Sequence, residues 1–345
     1  MGEFDLIERF FRRSGGNGPA GQGGEGGSRT SSGSAQADTG TGAVILGIGD
    51  DCALLQAPAA GQVLAVSSDM LIEGRHFFAG TDPAAVGHKA LAVNLSDLAA
   101  MGAQPIGFTL AIALPGIDEA WLASFCDGMF RLADRFACPL VGGDTTRGPL
   151  AIAITVFGQV PAGLALRRDR ARAGDEVWVS GPLGGASFAV ACRRGASDAV
   201  DEGAARRLDW PQPQVELGLR LRGIAHAAID LSDGLAGDIR HVLDASAAAD
   251  PVETSLGAEL LVPAIPLDPC LAGLPIEQRL RHALTGGDDY ELLFTAALED
   301  HQTIRALCPT AEMVGRIRIG RGILLTGADG KVVPFEGTGF DHFPG

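Results

Sequence analysis

The chain has 345 residues, with 42 acidic against 27 basic side chains and a net charge of −15. That balance disfavours nucleic acid or an anionic membrane as partner, since both need a basic surface. Only Lys89 and Lys331 are lysines, no G-x-x-x-x-G-K-[ST] run exists, and the six cysteines form no C-x-x-C pair. A P-loop, a zinc site and a disulfide framework are therefore set aside, and a reducing compartment fits.

In chain order, residues 3–13 predict a short helix with Phe4, Ile7, Phe10 and Phe11 on one stripe. Its charges argue against a signal segment. Residues 14–42 hold 11 glycines among 29 positions and no large apolar side chain. Such a stretch cannot bury enough surface to offset its ordering entropy, so a flexible Gly-rich insert is expected. From Ala43 the pattern becomes regular. "AVILGIG" and "VLAVSSDM" read as strands, 83–101 as a helix ended by Gly102 and Pro105, and "PIGFTLAIAL" as a strand. A helix over 118–137 and the alternating strand "LAIAITVFGQV" follow.

The basic stretch "RRDRARAGD" marks a crossing into a second half of similar style. There the strand "DEVWVSG", helices over 184–195 and 213–223, the strand "AAIDLSDG" and a helix over 235–246 are expected, with later strands near 292–295 and 322–326. Strand and helix alternate in both halves, which predicts an α/β fold of two domains, 1–160 and 161–345. No apolar run reaches the length of a membrane span, so a soluble, cytoplasmic protein is expected.

The chemistry lies in a recurring acidic turn. "GIGDD" at 47–51 is followed by "SSDM", "NLSDLAAMG", "VGGDTTRG", "IDLSDG" and "TGGDDYE". One Asp beside Gly or Ser is ordinarily a turn or a helix cap. Six such clusters make independent turns a weak explanation. Asp97 resists it most, lying mid-helix among apolar residues with Asn94 on the same face, where an unpaired carboxylate is costly to bury. Oxygen ligands without cysteine or paired histidine select Mg²⁺ or Ca²⁺, and no stretch has the ligand spacing of an EF-hand. Dispersed single ligands suit Mg²⁺, which keeps water and phosphate oxygens in its other positions. Glycine turns bring backbone close to a phosphate while the acids hold the metal that meets it.

These segments, with "SSDMLIEGRHF", "KALAVNLSDLAAMGAQP", "GGDDYELLFT" and the closing "GTGFDHF", resemble the thiamine-monophosphate kinase family from Gly2 to Phe343, the Gly-rich insert excepted. The family shares its fold with aminoimidazole ribonucleotide synthetase and selenophosphate synthetase. The resemblance implies a homodimer whose N-terminal sheets join in a barrel, with ATP bound in the N-terminal domain. It implies that Asp51, Ser67, Ser68, Asp69, Asp97, Asp144 and Asp230 coordinate several Mg²⁺ ions, and Asp233 a further one. Gly143, Asp144, Arg168 and Ser232 would contact ATP, and His76, Asp288 and Phe340 thiamine monophosphate. Ser68 stands where the family often has threonine, and Asp288 where glutamate is usual. Taken singly, His76 also fits a half-buried structural histidine, Phe340 a packed tail and Arg168 a solvated basic face.

The implied reaction is transfer from ATP to thiamine monophosphate without a phosphoenzyme. A phosphate monoester, with a second pKa of about 6, is already a nucleophilic dianion and needs no general base. The rivals are a sister ATP-dependent enzyme of the same fold and a non-catalytic Mg-nucleotide sensor. The insert lacks the cysteine and lysine that a selenophosphate synthetase needs in its glycine-rich loop.

Overall fold

The computed structural model describes residues 3–12, 43–48, 52–196, 201–249 and 255–334. The Gly-rich insert, Asp51 and Phe340 lie outside them. Helix α1 (Glu3–Leu6) passes directly into a π turn, Ile7–Phe11, so the helix expected over 3–13 ends two residues early. Leu6 and Phe11 are buried, and Ile7 and Phe10 are partly buried against the same core.

Two short strands, β1 (Val44–Leu46) and β2 (Leu54–Leu55), pair antiparallel. The long strand β3 (Gln62–Ile72) leads to α2 (Pro83–Ala100). Asp82 caps α2 by accepting from the Ala84 amide, and Pro83 occupies the first turn, where its missing N–H costs nothing. Strand β4 (Gln104–Leu114), α3 (Glu119–Arg135, capped by Asp118), β5 (Leu140–Arg147) and β6 (Ala151–Pro161) complete this half.

The four long strands form one sheet in the order β3-β6-β4-β5, in which only β4 and β5 run parallel. One face is covered by α2, and α3 packs on α2 in turn. The two helices meet backbone to backbone. A Cβ on Gly128 would fall 1.8 Å from the Ala84 carbonyl oxygen, and one on Gly87 2.0 Å from that of Phe125. The other face is open at β3, where Leu64, Val66, Met70 and Ile72 are 40–55 % exposed.

The second half begins with β7 (Glu176–Val179) and α4 (Gly185–Ala191), which widens into a π turn over Cys192–Ala196. It continues through α5 (Glu202–Asp209), α6 (Val215–Leu221), β8 (Ala225–Asp230), α7 (Leu235–Ala249), β9 (Leu256–Leu261) and α8 (Ile276–Thr285). Last come β10 (Leu292–Ala296), α9 (His301–Leu307), β11 (Glu312–Ile319), β12 (Gly322–Thr326) and β13 (Val332–Val333). Their sheet has the order β13-β12-β9-β11-β7-β10-β8, antiparallel except for β12 beside β9. Its central strands β7 and β10 are buried at every position, including Glu176, which meets His301, and Thr295, which donates to Asp175.

Helix α2 joins the halves. It lies against β3, β4 and β6 on one side and against α6 and β8 on the other. Sixteen of its 18 residues are buried, and one apolar cluster runs from its Leu91 and Leu95 to Val215, Trp178 and Phe294. Polar groups on the faces that α2 turns to the two sheets are therefore held rigidly between them.

Candidate functional site

A cavity of about 500 Å³ opens where α2, the end of β3, the turn after β8 and the 285–290 turn converge. Its wall contains seven of the residues expected from the sequence: Asp69, His76, Asp97, Asp230, Ser232, Asp233 and Asp288. Arg75, Arg194, Phe77 and Phe78 also line it. The acids come from both halves of the chain.

Asp97 and Asp230 each accept a serine hydroxyl, while Asp69 and Asp233 are fixed through their backbone amides. Ser67 Oγ donates to Asp97 Oδ2 at 2.5 Å, so Ser67 reaches the site through Asp97. Ser96, fully buried one residue before Asp97, donates to Asp230 Oδ2 at 2.8 Å. Asn94 accepts from the Asp69 amide at 3.0 Å and donates to the Ala90 carbonyl, fastening β3 to α2. The Asp233 amide donates to Asp238 Oδ2 at 3.1 Å. His76 Nδ1 accepts from the Ile72 amide at 3.0 Å, which leaves Nε2 as the protonated nitrogen.

Other expected residues stand apart. Ser68 points the opposite way from Ser67, donating to the Ile154 carbonyl at 3.1 Å and meeting Thr155 Oγ1 at 3.0 Å. Gly143 and Asp144 are exposed on β5, at the far edge of the sheet from β3. Three strand spacings, about 14 Å, separate them from the Asp69 edge. Arg168 is exposed outside the cavity wall, yet its charge acts favourably on Asp97.

The acids crowd one another. Burial pushes Asp97 upward, and the Ser67 hydrogen bond and Arg168 oppose that rise. Burial, then the Asp97 charge, raises Asp69 to about 6 and Asp230 to about 7. Burial raises Asp238 to about 8. A carboxyl that binds its proton more tightly folded than unfolded favours the folded state at low pH. The metal-free protein should accordingly lose stability as pH rises from about 4 through 8. Calorimetry should show a higher melting temperature at pH 5.5 than at pH 8, with a smaller gap in Asp230→Asn. A gap of the same size in the variant would remove Asp230 as a source.

The donor set fits a hard divalent cation. It consists of oxygens, and its mutual repulsion is what such an ion relieves. Among the described residues no three acidic, histidine or cysteine groups come close enough to cage a metal by themselves. Supporting residues that the sequence reading did not assign to the site are Ser96, Asp238, Lys89 and Tyr290. Of these, Ser96 and Tyr290 lie inside the acidic clusters "NLSDLAAMG" and "TGGDDYE", and Lys89 is one of only two lysines.

This fold and site define the class. The family model for the AIR synthase related protein N-terminal domain matches residues 49–160. The chain is 40 % identical to the thiamine-monophosphate kinase of Escherichia coli (strain K12), across 99 % of this chain and 98 % of that one. The crystal structure of thiamine-monophosphate kinase from Stenotrophomonas maltophilia K279a is 44 % identical with a TM-score of 0.76, over 84 % of this chain and 92 % of that one. AaThiL complexed with AMPPCP and TMP is 29 % identical with a TM-score of 0.71, over 84 % and 90 %. The chain belongs to the thiamine-monophosphate kinase family.

Proposed function

We propose that the protein transfers the γ-phosphoryl group of ATP to thiamine monophosphate, giving ADP and thiamine diphosphate. The observation that carries this reading is the convergence of Asp69, Asp97, Asp230 and Asp233 with His76 and Asp288 on one cavity. A related chain complexed with AMPPCP and TMP supports it.

In this reading Asp51, Ser67, Asp69, Asp97, Asp144, Asp230 and Asp233 hold Mg²⁺, and Ser68, whose hydroxyl is turned to Ile154, would do so through its backbone carbonyl. Bound magnesium supplies the positive charge that lets a dianionic acceptor approach the ATP tail. Ser67 and Ser96 orient Asp97 and Asp230, and Asn94 fixes the Asp69 backbone. Gly143, Asp144, Arg168 and Ser232 contact the nucleotide, while His76, Asp288 and Phe340 hold thiamine monophosphate. The acceptor phosphate attacks in line and directly. No side chain becomes phosphorylated.

The functional unit in this reading is a homodimer, with units 1–160 and 161–345 in each chain. Among the described residues β3 and β5 each pair on one side only, which leaves two open sheet edges beside the apolar face of Leu64, Val66, Met70 and Ile72. A second copy joined through these edges would close both into a barrel and set the partner's β5 edge beside this chain's β3. Val66→Glu should then yield a monomer by light scattering and lose most activity. An unchanged mass would tell against the dimer.

No helix among the described residues is long and apolar enough to cross a membrane. All six cysteines are free thiols, which suits the cytoplasm. The deciding assay supplies ATP, Mg²⁺ and thiamine monophosphate and follows thiamine diphosphate, with thiamine as the control acceptor. Diphosphate from the monophosphate alone is expected. ATP hydrolysis without it would point to a sister enzyme, and nucleotide binding without turnover to a sensor.

A further inference from the structure

Lys89 is buried to 3 % exposure in the second turn of α2. Burying an ammonium is costly unless it is paired and hydrogen-bonded. Its Nζ donates to Asp288 Oδ2 at 3.1 Å and to the His76 carbonyl oxygen at 3.2 Å. Those partners lie 199 residues apart on one side and 13 on the other. They are two of the three residues read above as holding the acceptor.

The Asp288 carboxylate is held from a second direction. Tyr290, the only tyrosine of the chain, donates its hydroxyl to Asp288 Oδ1 at 3.0 Å. The backbone beneath is strained, since Asp288 and Tyr290 have φ of +70° and +51°, where side-chain-bearing residues are uncommon. Strain of this kind persists only where the surroundings over-determine it, and it gathers at binding sites. Here the surroundings are explicit. The Asp288 and Tyr290 amides donate to the carbonyls of Ser232 and Leu231. Asp289 accepts the Gly184 amide on both its oxygens.

We propose that Lys89 is a positioning residue for the acceptor: it keeps the Asp288 carboxylate aimed into the cavity and locks it to the His76 segment, with Tyr290 as the second arm of the clamp. Lys89 does not line the cavity, so it acts through Asp288 and His76. A buried ion pair serving only to join the two halves of the chain would need neither a strained partner nor one open to the cavity. Asp288 is both, with 31 % of its side chain exposed.

The inference rests on the reading that Asp288 and His76 contact thiamine monophosphate, and the test separates the two. Wild-type protein is assayed first. Failure to form thiamine diphosphate would overturn that reading itself. With turnover established, Lys89→Met should raise KM for thiamine monophosphate at least tenfold and leave KM for ATP within twofold. Lys89→Met combined with Asp288→Asn should cost less than the product of the two single effects, because the Lys89–Asp288 contact is lost in both and only the bond to His76 remains to add. Equal rises in both KM values, or effects that multiply in the double variant, would overturn the proposal while leaving the reaction intact. If Lys89→Met does not fold, Tyr290→Phe tests the same clamp by deleting one hydroxyl. A threefold or larger rise in KM for thiamine monophosphate alone is expected, and an unchanged KM overturns the proposal.

Discussion

Asp97→Asn should lower kcat by about 10² to 10³, the loss typical of removing one preorganised electrostatic group, and should raise the melting temperature of the metal-free protein. The two effects share one cause. Asp97 is a half-buried carboxylate whose charge pushes up both Asp69 and Asp230. Asparagine keeps an oxygen for the Ser67 hydroxyl, so the local structure survives while the repulsion disappears. A site that stores repulsion for a cation is stabilised by losing it and disabled by the same change. Steady-state kinetics at saturating Mg²⁺, paired with calorimetry, checks both. Near-normal turnover would remove Asp97 from the metal-holding set, and a lower melting temperature would show that its charge is already neutralised within the protein.

Gly128→Val should destabilise the protein by about 3 kcal/mol, at the upper end of ordinary overpacking. A Cβ there has no room, because it would overlap the Ala84 carbonyl group at 1.8 Å. Relief requires α3 to move away from α2 along the seam that also includes Gly87. Since α2 presents Lys89, Asn94, Ser96 and Asp97, its displacement should also reduce kcat, although position 128 touches no part of the cavity. Denaturant unfolding followed by kinetics on the folded fraction measures both. A loss below about 1 kcal/mol would show that the helices slide apart easily.

Much of the architecture was legible because it is local. Helix α2 is bounded by Asp82-Pro83 and Gly102, and β6 alternates strictly between buried and partly buried residues. What escaped depends on distant partners. The run "LVGGDTTR" has turn-like composition, yet it forms β5 because β4 supplies a parallel neighbour along its length. Strands β9 and β11, and helices α5, α8 and α9, were likewise not foreseen. In β11 only the short stretch 316–319 alternates polar and apolar, and its pairing partners lie on β7 and β9.

The site divides along the same line. The acidic turns showed which carboxylates to suspect, and Asp69, Asp97, Asp230 and Asp233 do meet on one cavity. The placement of Gly143 and Asp144 on the far edge of the sheet follows from strand order, which no local pattern encodes. Lys89 stood out only as one of two lysines in the chain. Its partner Asp288, 199 positions away, could come only from the fold.

Strand β3 serves two surfaces at once. Ser67 and Leu71 face α2 and the interior, while Leu64, Val66, Ser68 and Ile72 face outward. Because side chains alternate with a period of two, insertion or deletion of a single residue within Gln62–Ile72 would exchange the two sets. Ser67 would leave Asp97, and depending on the direction of the shift Val66 or Ser68 would take its place. Length changes in this lineage should therefore collect outside the strand, and point substitution is the only route by which β3 can vary.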